Sequence, residues 1–85
     1  MKWLGVMILK AMTKFKKIGY ECYENENYID YRKDFGYGIY YEISFVKEYK
    51  CIEITPTEYG KPHYFVRLDK ETIEAINTQI KELKW

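Results

Sequence analysis

The sequence predicts a two-layer α+β domain, with two helices on one face of an antiparallel meander of four or five strands. Near each end of the chain, apolar residues recur at intervals of three and four, which is typical of amphipathic helices. Between these segments, apolar and polar residues alternate with a period of two, which is typical of half-buried strands. Because two one-sided helices need a surface to cover, one face of the meander is expected to carry both and the other to stay open.

The first helix is predicted over about residues 4–18. Its short apolar run ends at Lys10 without a small-residue cleavage pattern, so a helix is favoured over a secretory signal or a membrane span. Gly19 stands where helices end in the left-handed conformation, and Tyr20 stands where a Schellman motif places its hydrophobic contact. The apolar stripe consists of Leu4, Ile8, Ala11, Phe15 and Ile18.

Alternation predicts strands over about residues 20–24, 27–33, 38–46, 49–55 and 63–68. The clearest is the third, because Ile39, Tyr41, Ile43 and Phe45 take one face and polar residues take most of the other. Turns are predicted at Asn25–Glu26 and within Asp34–Gly38. The segment Pro56–Pro62 is predicted to be a loop, because two prolines and a glycine are incompatible with a central strand.

The second helix is predicted over about residues 70–84. Asp69 is a good N-cap residue, and Glu71 suits the positive end of the helix dipole. The predicted buried stripe is Ile73, Ile76, Ile80 and Leu83, with Asn77 and Gln79 beside it.

The length of 85 residues predicts a single domain, 1–85. A net charge of +1 gives no support to a strongly basic nucleic-acid binder. The charge is uneven, because residues 1–19 hold five lysines and no acidic residue, while residues 20–34 hold five acidic residues and two basic ones. We interpret these runs as the solvated face of a helix and the acidic turns of a hairpin.

The residues with catalytic potential are too few and too scattered to predict an enzyme. His63 is the only histidine and Ser44 the only serine, and neither has a nucleophile or an acid at a diagnostic spacing. Glu42 and Glu53 could face each other on the outer side of the sheet, although like charges directly opposite are unfavourable. We therefore predict no catalytic, cofactor-binding or metal-ligating residues and no cofactor.

The two cysteines, Cys22 and Cys51, are far apart in the sequence and have no metal-like spacing. A small secreted scaffold would normally carry more disulfides. We expect both thiols to be reduced, which favours a cytoplasmic protein.

The ten tyrosines are the strongest functional signal. Tyr31 and Tyr41 have the core-facing register, whereas other aromatic residues point to the outer face. That face could contact a protein, since tyrosine is enriched in interfaces, or stack the bases of single-stranded nucleic acid. The acidic residues predicted on the same face favour a protein partner. The candidate interaction surface is Tyr23, Tyr28, Tyr40, Tyr49, Phe65 and Arg67.

Self-association is a third use of exposed aromatic residues. Trp3, Met7 and Met12 lie partly off the stripe of the first helix, and Trp85 ends the chain. Exposed apolar residues of this kind can form a homodimer contact.

Three segments resemble a known group of sequences: residues 15–21 (FKKIGYE), Ile29-x-Tyr31, and residues 73–85 (IEAINTQIKELKW). Together they resemble small uncharacterised proteins encoded by phages and prophages of Gram-positive bacteria. Those proteins share a first helix ending in Leu-Gly-Tyr/Phe-Glu, with Ile18 here in place of leucine, and a final Ala-Ile-x-x-Gln-Ile-x-Glu-Leu-x-Trp helix. The resemblance covers about Met12 to Trp85, so it implies that residues 1–11 are an extension.

The resemblance implies a mobile-element origin and carries no catalytic residues. We therefore expect a non-enzymatic phage or prophage accessory protein that binds a host or phage protein through the open, tyrosine-rich face of its sheet. Single-stranded nucleic-acid binding on that face is the alternative.

Overall fold

A computed structural model describes residues 10–59, 61–62 and 66–85. Along the chain, a first helix is followed by four strands and then by a second helix. The strands form one antiparallel sheet in which each strand pairs with the next strand along the chain. The predicted fold class is confirmed: an open antiparallel sheet with an N-terminal and a C-terminal helix. The elements are α1 (Lys10–Lys17), β1 (Glu21–Glu24), β2 (Tyr28–Gly36), β3 (Ile39–Val46), β4 (Cys51–Glu58) and α2 (Lys70–Glu82).

The core lies between the helices and one face of the sheet. Phe15 of α1 stacks on Tyr31 of β2, with ring centroids 3.7 Å apart, and both side chains are almost fully buried. Phe45 meets both rings edge-on, at 6.3 and 6.0 Å. Strand residues two apart share a face. The residues that alternate with this buried row therefore lie on the opposite face of the sheet, which no described helix covers. The core consists of Phe15, Tyr20, Ile29, Tyr31, Ile43, Phe45 and Ala75.

Helix α1 ends as the sequence predicts. Gly19 has a φ of +97°, the Tyr20 N–H donates to the Phe15 carbonyl at 2.9 Å, and the Gly19 N–H donates to Lys16 at 3.1 Å. These two bonds have the Schellman pattern. The Tyr20 ring then packs edge-on against Phe15 with centroids 5.4 Å apart. The predicted helical residues before Lys10 lie outside the described residues.

The prediction that Pro56–Pro62 is entirely a loop is wrong, because β4 continues through Pro56 to Glu58. Pro56 faces Tyr41 of β3. The Tyr59 N–H donates to the Gly38 carbonyl, and the antiparallel alternation that follows puts Pro56 at a position where no N–H is needed toward β3.

The strand predicted at 63–68 is not found in the described part of the chain. Val66, Arg67 and Leu68 have no regular structure, and residues 63–65 lie outside the described residues. Lys61–Pro62 instead pairs briefly with the end of β4, opposite Glu58 and Thr57. This two-residue segment therefore lies at the edge of the sheet, beside the end of β4.

The turn between β2 and β3 has a left-handed backbone. Its register shifts between Asp34 and Gly36, and φ is +82° at Gly36, +55° at Tyr37 and +73° at Gly38. A Cβ at position 38 would lie 2.6 Å from Cδ1 of Tyr59. Glycine at 38 is therefore required by both the backbone conformation and the neighbouring ring.

Helix α2 begins at the predicted cap, and three residues of the predicted stripe, Ile76, Ile80 and Leu83, are partly buried against the core. Asp69 accepts hydrogen bonds from the Thr72 N–H at 2.9 Å and the Thr72 hydroxyl at 2.6 Å. The predicted stripe is wrong at Ile73, which is 46% exposed, whereas Gln79 is buried. The Tyr31 hydroxyl donates to Gln79 Oε1 at 2.5 Å, so the buried amide of Gln79 has a polar partner on the sheet. The fully enclosed residues of the helix are Thr72, Ala75 and Gln79.

A side chain of α2 caps the first turn of α1 and so connects the two helices. Glu82 near the end of α2 accepts a hydrogen bond from the Ala11 N–H in the first turn of α1, at 2.9 Å. Lys14 Nζ of α1 also donates to the Thr78 hydroxyl, at 2.9 Å. Because N–H groups in the first turn of a helix lack carbonyl partners within the helix, Glu82 supplies what α1 itself cannot.

Replacing Glu82 by alanine is expected to lower the free energy of unfolding by about 1 kcal/mol, the usual cost of losing a helix cap. Glutamine retains an oxygen acceptor, so Glu82→Gln is expected to be at least as stable as the wild type at neutral pH. Urea unfolding of both variants measures this. Glu74→Ala, on the exposed side of the same helix, is the control and is expected to change the stability by less than about 0.5 kcal/mol.

The same carboxyl group gives the stability a pH dependence. Burial raises the pKa of Glu82 above its ordinary 4.5, and the Ala11 N–H and the nearby Lys10 and Lys14 oppose this only in part. Since the folded pKa is the higher one, the neutral form adds stability at acid pH that is lost as the pH rises through the raised pKa. Equal pH dependence of the unfolding free energy in wild type and Glu82→Gln would contradict this account.

Candidate protein-interaction surface

The face of the sheet opposite the helices is acidic, and no described helix covers it. The pairing places Glu21, Arg32, Glu42 and Thr55 in one cross-strand row, and Tyr23, Asp30, Ser44 and Glu53 in the next. Tyr28, Val46 and Cys51 form the row at one end, and Asp34, Tyr40 and Thr57 the row at the other. We call these four rows the acidic open face.

Charge on the acidic open face is strongly one-sided. Five carboxylates, those of Glu21, Asp30, Asp34, Glu42 and Glu53, are accompanied by one guanidinium, that of Arg32. None of the five carboxylates forms an ion pair with another described residue. The face therefore has an excess of four negative charges that the described part of the chain leaves uncompensated.

The single cation of this face lies over an aromatic ring. Arg32 Cζ is 4.4 Å from the centroid of the Tyr40 ring, a cation–π arrangement. Arg32 also stands directly across from Glu42. Glu42 and Glu53 do not face each other, because the register sets Glu42 opposite Thr55 and Glu53 opposite Ser44. The offset removes the direct like-charge contact between these two carboxylates.

Hydrogen bonds fix two groups within the acidic open face. The Tyr23 hydroxyl donates to Glu21 Oε2 at 2.7 Å, and this bond to a carboxylate raises the pKa of the tyrosine. The Ser44 hydroxyl donates to Asp30 Oδ1. The hydroxyl of the single serine is thus used in a hydrogen bond to a carboxylate on a neighbouring strand.

The structure brings together three of the six residues predicted as an interaction surface. Tyr23 and Tyr28 lie on the acidic open face and are 52% and 38% exposed, and Tyr40 lies beneath Arg32 on the same face. Tyr49 is 73% exposed in the turn between β3 and β4, beside the row that contains Tyr28. Phe65 lies outside the described residues.

Arg67 is not brought together with the tyrosines. Its backbone N–H donates to the Tyr41 hydroxyl at 3.3 Å, and the Tyr41 side chain belongs to the helix-covered face. The chain therefore passes Arg67 along the side of the sheet that carries the helices. Arg32, which the candidate surface did not include, is the cation of the open face.

A second group of exposed aromatic residues lies at the turn between β2 and β3. Phe35 is 44% exposed and its ring contacts Tyr41 at 4.7 Å, while Tyr37 and Tyr59 are 86% and 69% exposed. Lys33 Nζ lies 4.9 Å from the centroid of the Phe35 ring. Tyr37 and Tyr59 both have a left-handed backbone, a conformation that no sequence pattern predicts for tyrosine.

Two small cavities lie on either side of Met12, on the helix side of the sheet. One of about 190 Å³ is lined mainly by Ile29, Tyr31, Gln79 and Glu82, and the other of about 270 Å³ by Lys16, Tyr20 and Cys22. Cys22 and Cys51 are free thiols, and burial raises the pKa of Cys22. A raised pKa keeps that thiol protonated and unreactive.

The described residues contain no group of three or more histidine, cysteine, aspartate or glutamate side chains placed to hold a metal ion. His63, the single histidine, lies outside the described residues. In the part of the chain that the structure describes, neither helix has the length and apolar content for a membrane span.

Comparison of this chain with protein-family models, curated proteins and solved structures finds no significant match.

Proposed function

We propose that this chain is a non-enzymatic accessory protein of phage or prophage origin that binds another protein through the acidic open face. The phage origin follows from the resemblance of residues 15–21 and 73–85. The presence of two free thiols supports a cytoplasmic setting, where cysteines stay reduced.

One observation carries the proposal: a complete sheet face displays half-exposed Tyr23 and Tyr28 with no described helix over it. Tyrosine provides a large apolar ring and a polar hydroxyl at a low entropic cost, which is why it is frequent in interface cores. An antiparallel sheet can expose one polar face to water without a partner, but half-exposed rings among carboxylates are better suited to recognition than to solvation alone.

The charge on this face selects among classes of partner. Stacking of nucleic-acid bases needs aromatic rings together with positive charge that follows the phosphates. Here Tyr23 and Tyr28 lie beside an excess of carboxylates, and the single guanidinium is held over Tyr40. The face therefore repels phosphate, and a protein with a basic surface is the favoured partner.

Site-specific photo-crosslinking tests the proposal. A photoreactive phenylalanine analogue at position 28 is expected to give covalent adducts in a lysate of a Gram-positive host, because this side chain lies within the contact. The same analogue at Ile73, which is 46% exposed on the outer side of α2, is the matched control. Mass spectrometry of the adducts identifies the partner and separates a second copy of the chain from another protein.

Adducts that form equally from positions 28 and 73, or from neither, would contradict binding through the open face. Transfer to a single-stranded DNA or RNA oligonucleotide from position 28 would instead indicate nucleic-acid binding. Tyr23→Ala together with Tyr28→Ala is expected to abolish capture by a tagged chain, whereas Tyr37→Ala, at the other end of the sheet, is expected to leave it unchanged.

A further inference from the structure

We propose that the partner on the acidic open face is helix α1 of a second copy of this chain, so that copies associate head to tail. The inference rests on the proposed function, since it names the occupant of the same face. It is carried by a charge complementarity between two described surfaces of one molecule.

Helix α1 matches the acidic open face in charge. Its sequence, KAMTKFKK, contains four lysines and no carboxylate, against an excess of four negative charges on the open face. Lys10, Lys16 and Lys17 are exposed, whereas Lys14 is half-buried and donates to Thr78. None of these lysines forms an ion pair with another described residue.

The two charged surfaces lie on opposite sides of the molecule. Phe15 and Ala11 point from α1 into the core, and the exposed Lys10, Lys16 and Lys17 lie off this buried side of the helix. The acidic open face lies on the other side of the sheet. Stacking a second copy in the same orientation therefore places its α1 over the open face of the first. Helices on both sides of a sheet are a common layer arrangement.

The open face has suitable groups for lysine side chains. The exposed rings of Tyr23 and Tyr28 can pack the aliphatic part of a lysine and attract its ammonium group. Glu42 and Glu53, which have no ion-pair partner among the described residues, lie in the two central rows. Arg32 is drawn onto Tyr40 at 4.4 Å, which moves the one repelling charge aside.

Such an interface is heterologous, because each copy uses its open face toward one neighbour and α1 toward the other. Heterologous contacts close into a ring or extend as an open chain. Exposed ion pairs stabilise an interface only slightly, so association is expected to be weak. Screening should suppress it, since the Debye length falls from ~10 Å at 0.1 M salt to ~3 Å at 1 M.

Charge reversal with rescue tests the proposal by sedimentation equilibrium of the full chain at low salt. Reversal of the sheet face (Glu42→Lys with Glu53→Lys) and reversal of the helix (Lys16→Glu with Lys17→Glu) are each expected to give a monomer. An equimolar mixture of the two variants is expected to associate again, because each charged surface then meets its opposite. The control reversal, Lys70→Glu with Lys81→Glu on α2, is expected to associate as the wild type does.

Circular dichroism checks that each variant is folded, and the milder Glu42→Gln with Glu53→Gln replaces the sheet variant if it unfolds; partial loss of association is then expected. A wild-type chain that is monomeric at low salt, reversals that leave association intact, or a mixture that fails to restore it would each overturn the inference. Adducts from position 28 to a different protein, with a monomeric chain, would overturn it while leaving the proposed function standing. Absence of both adducts and self-association would overturn both.

Discussion

Replacing Phe15 by alanine is expected to lower the free energy of unfolding by roughly 3–5 kcal/mol, the usual cost of removing a fully buried phenylalanine. Phe15 is 0% exposed and stacks on Tyr31 at 3.7 Å, with edge contacts to Tyr20 and Phe45. Its loss leaves a cavity at the centre of the contact between α1 and the sheet. Urea unfolding followed by circular dichroism measures the loss.

That loss is a large share of the total stability. At ~0.05–0.15 kcal/mol per residue, a domain of 85 residues has roughly 4–13 kcal/mol, so Phe15→Ala is expected to unfold at a clearly lower urea concentration than the wild type. Phe15→Leu retains most of the volume and should fold with a smaller loss. Tyr49→Ala, which removes an aromatic ring that is 73% exposed, should change stability by less than about 0.5 kcal/mol. Equal effects at positions 15 and 49 would contradict the described core.

Replacing Gln79 by alanine is the change with the next largest expected effect, about 1–3 kcal/mol, the cost of a buried polar group that loses its partner. The Tyr31 hydroxyl, on a residue that is 1% exposed, donates to Gln79 Oε1. Without the amide it loses that acceptor in the interior. Tyr31→Phe is expected to be unfavourable for the reciprocal reason, because it leaves the amide without its donor.

A double-mutant cycle separates this hydrogen bond from simple packing. The double variant Tyr31→Phe with Gln79→Leu removes both polar groups, so it is expected to be more stable than the sum of the two single changes predicts, with a coupling of ~0.5–3 kcal/mol. The unfolding free energies of the wild type, Tyr31→Phe, Gln79→Leu and the double variant give the coupling directly. Strictly additive effects would show that the two groups do not interact.

Tyr31 also gives the fold an alkaline limit. Burial raises the pKa of its hydroxyl far above the ordinary value of 10.0. Because the folded pKa is the higher one, the neutral hydroxyl contributes stability below pH 10 that is lost as the pH rises above that value. In Tyr31→Phe this part of the alkaline decline is expected to be absent.

The sequence was sufficient where a structure depends on neighbours along the chain. Gly19 and Tyr20 closed α1 as predicted because a Schellman motif involves only a few consecutive residues. Asp69 capped α2 because its acceptor reaches the N–H of Thr72, three residues later. The alternation of β3 also predicted the burial of Tyr41, Ile43 and Phe45.

Prediction failed where a distant partner decides the outcome. Gln79 is buried because Tyr31 lies 48 positions away in the sequence and yet within hydrogen-bond distance. Pro56 is tolerated in β4 because the register puts it at a position where the backbone does not donate a hydrogen bond to β3. In the same way, only the pairing of β3 with β4 shows that Glu42 and Glu53 are offset.

The sequence predicted that the open face carries tyrosines, but it did not predict every residue of that face. Period two correctly sent Tyr23, Tyr28 and Tyr40 to the open side. Period two also sends Arg32 to the open side, although the candidate surface did not include it. The inclusion of Arg67 came from the chain path after β4, where a predicted strand is irregular over Val66, Arg67 and Leu68. Without that strand, nothing in the described residues carries Arg67 to the open face.

The bond between Glu82 and Ala11 joins residues 71 positions apart, and it has a consequence for how the chain is made. The hairpins of the sheet need only local closure, but the helical layer needs α1 and α2 together. During synthesis α1 precedes the sheet and has no capping partner until Glu82 has been added. A polypeptide that stops before α2 would present to its surroundings the parts of Tyr31 and Phe45 that Gln79 and Trp85 contact.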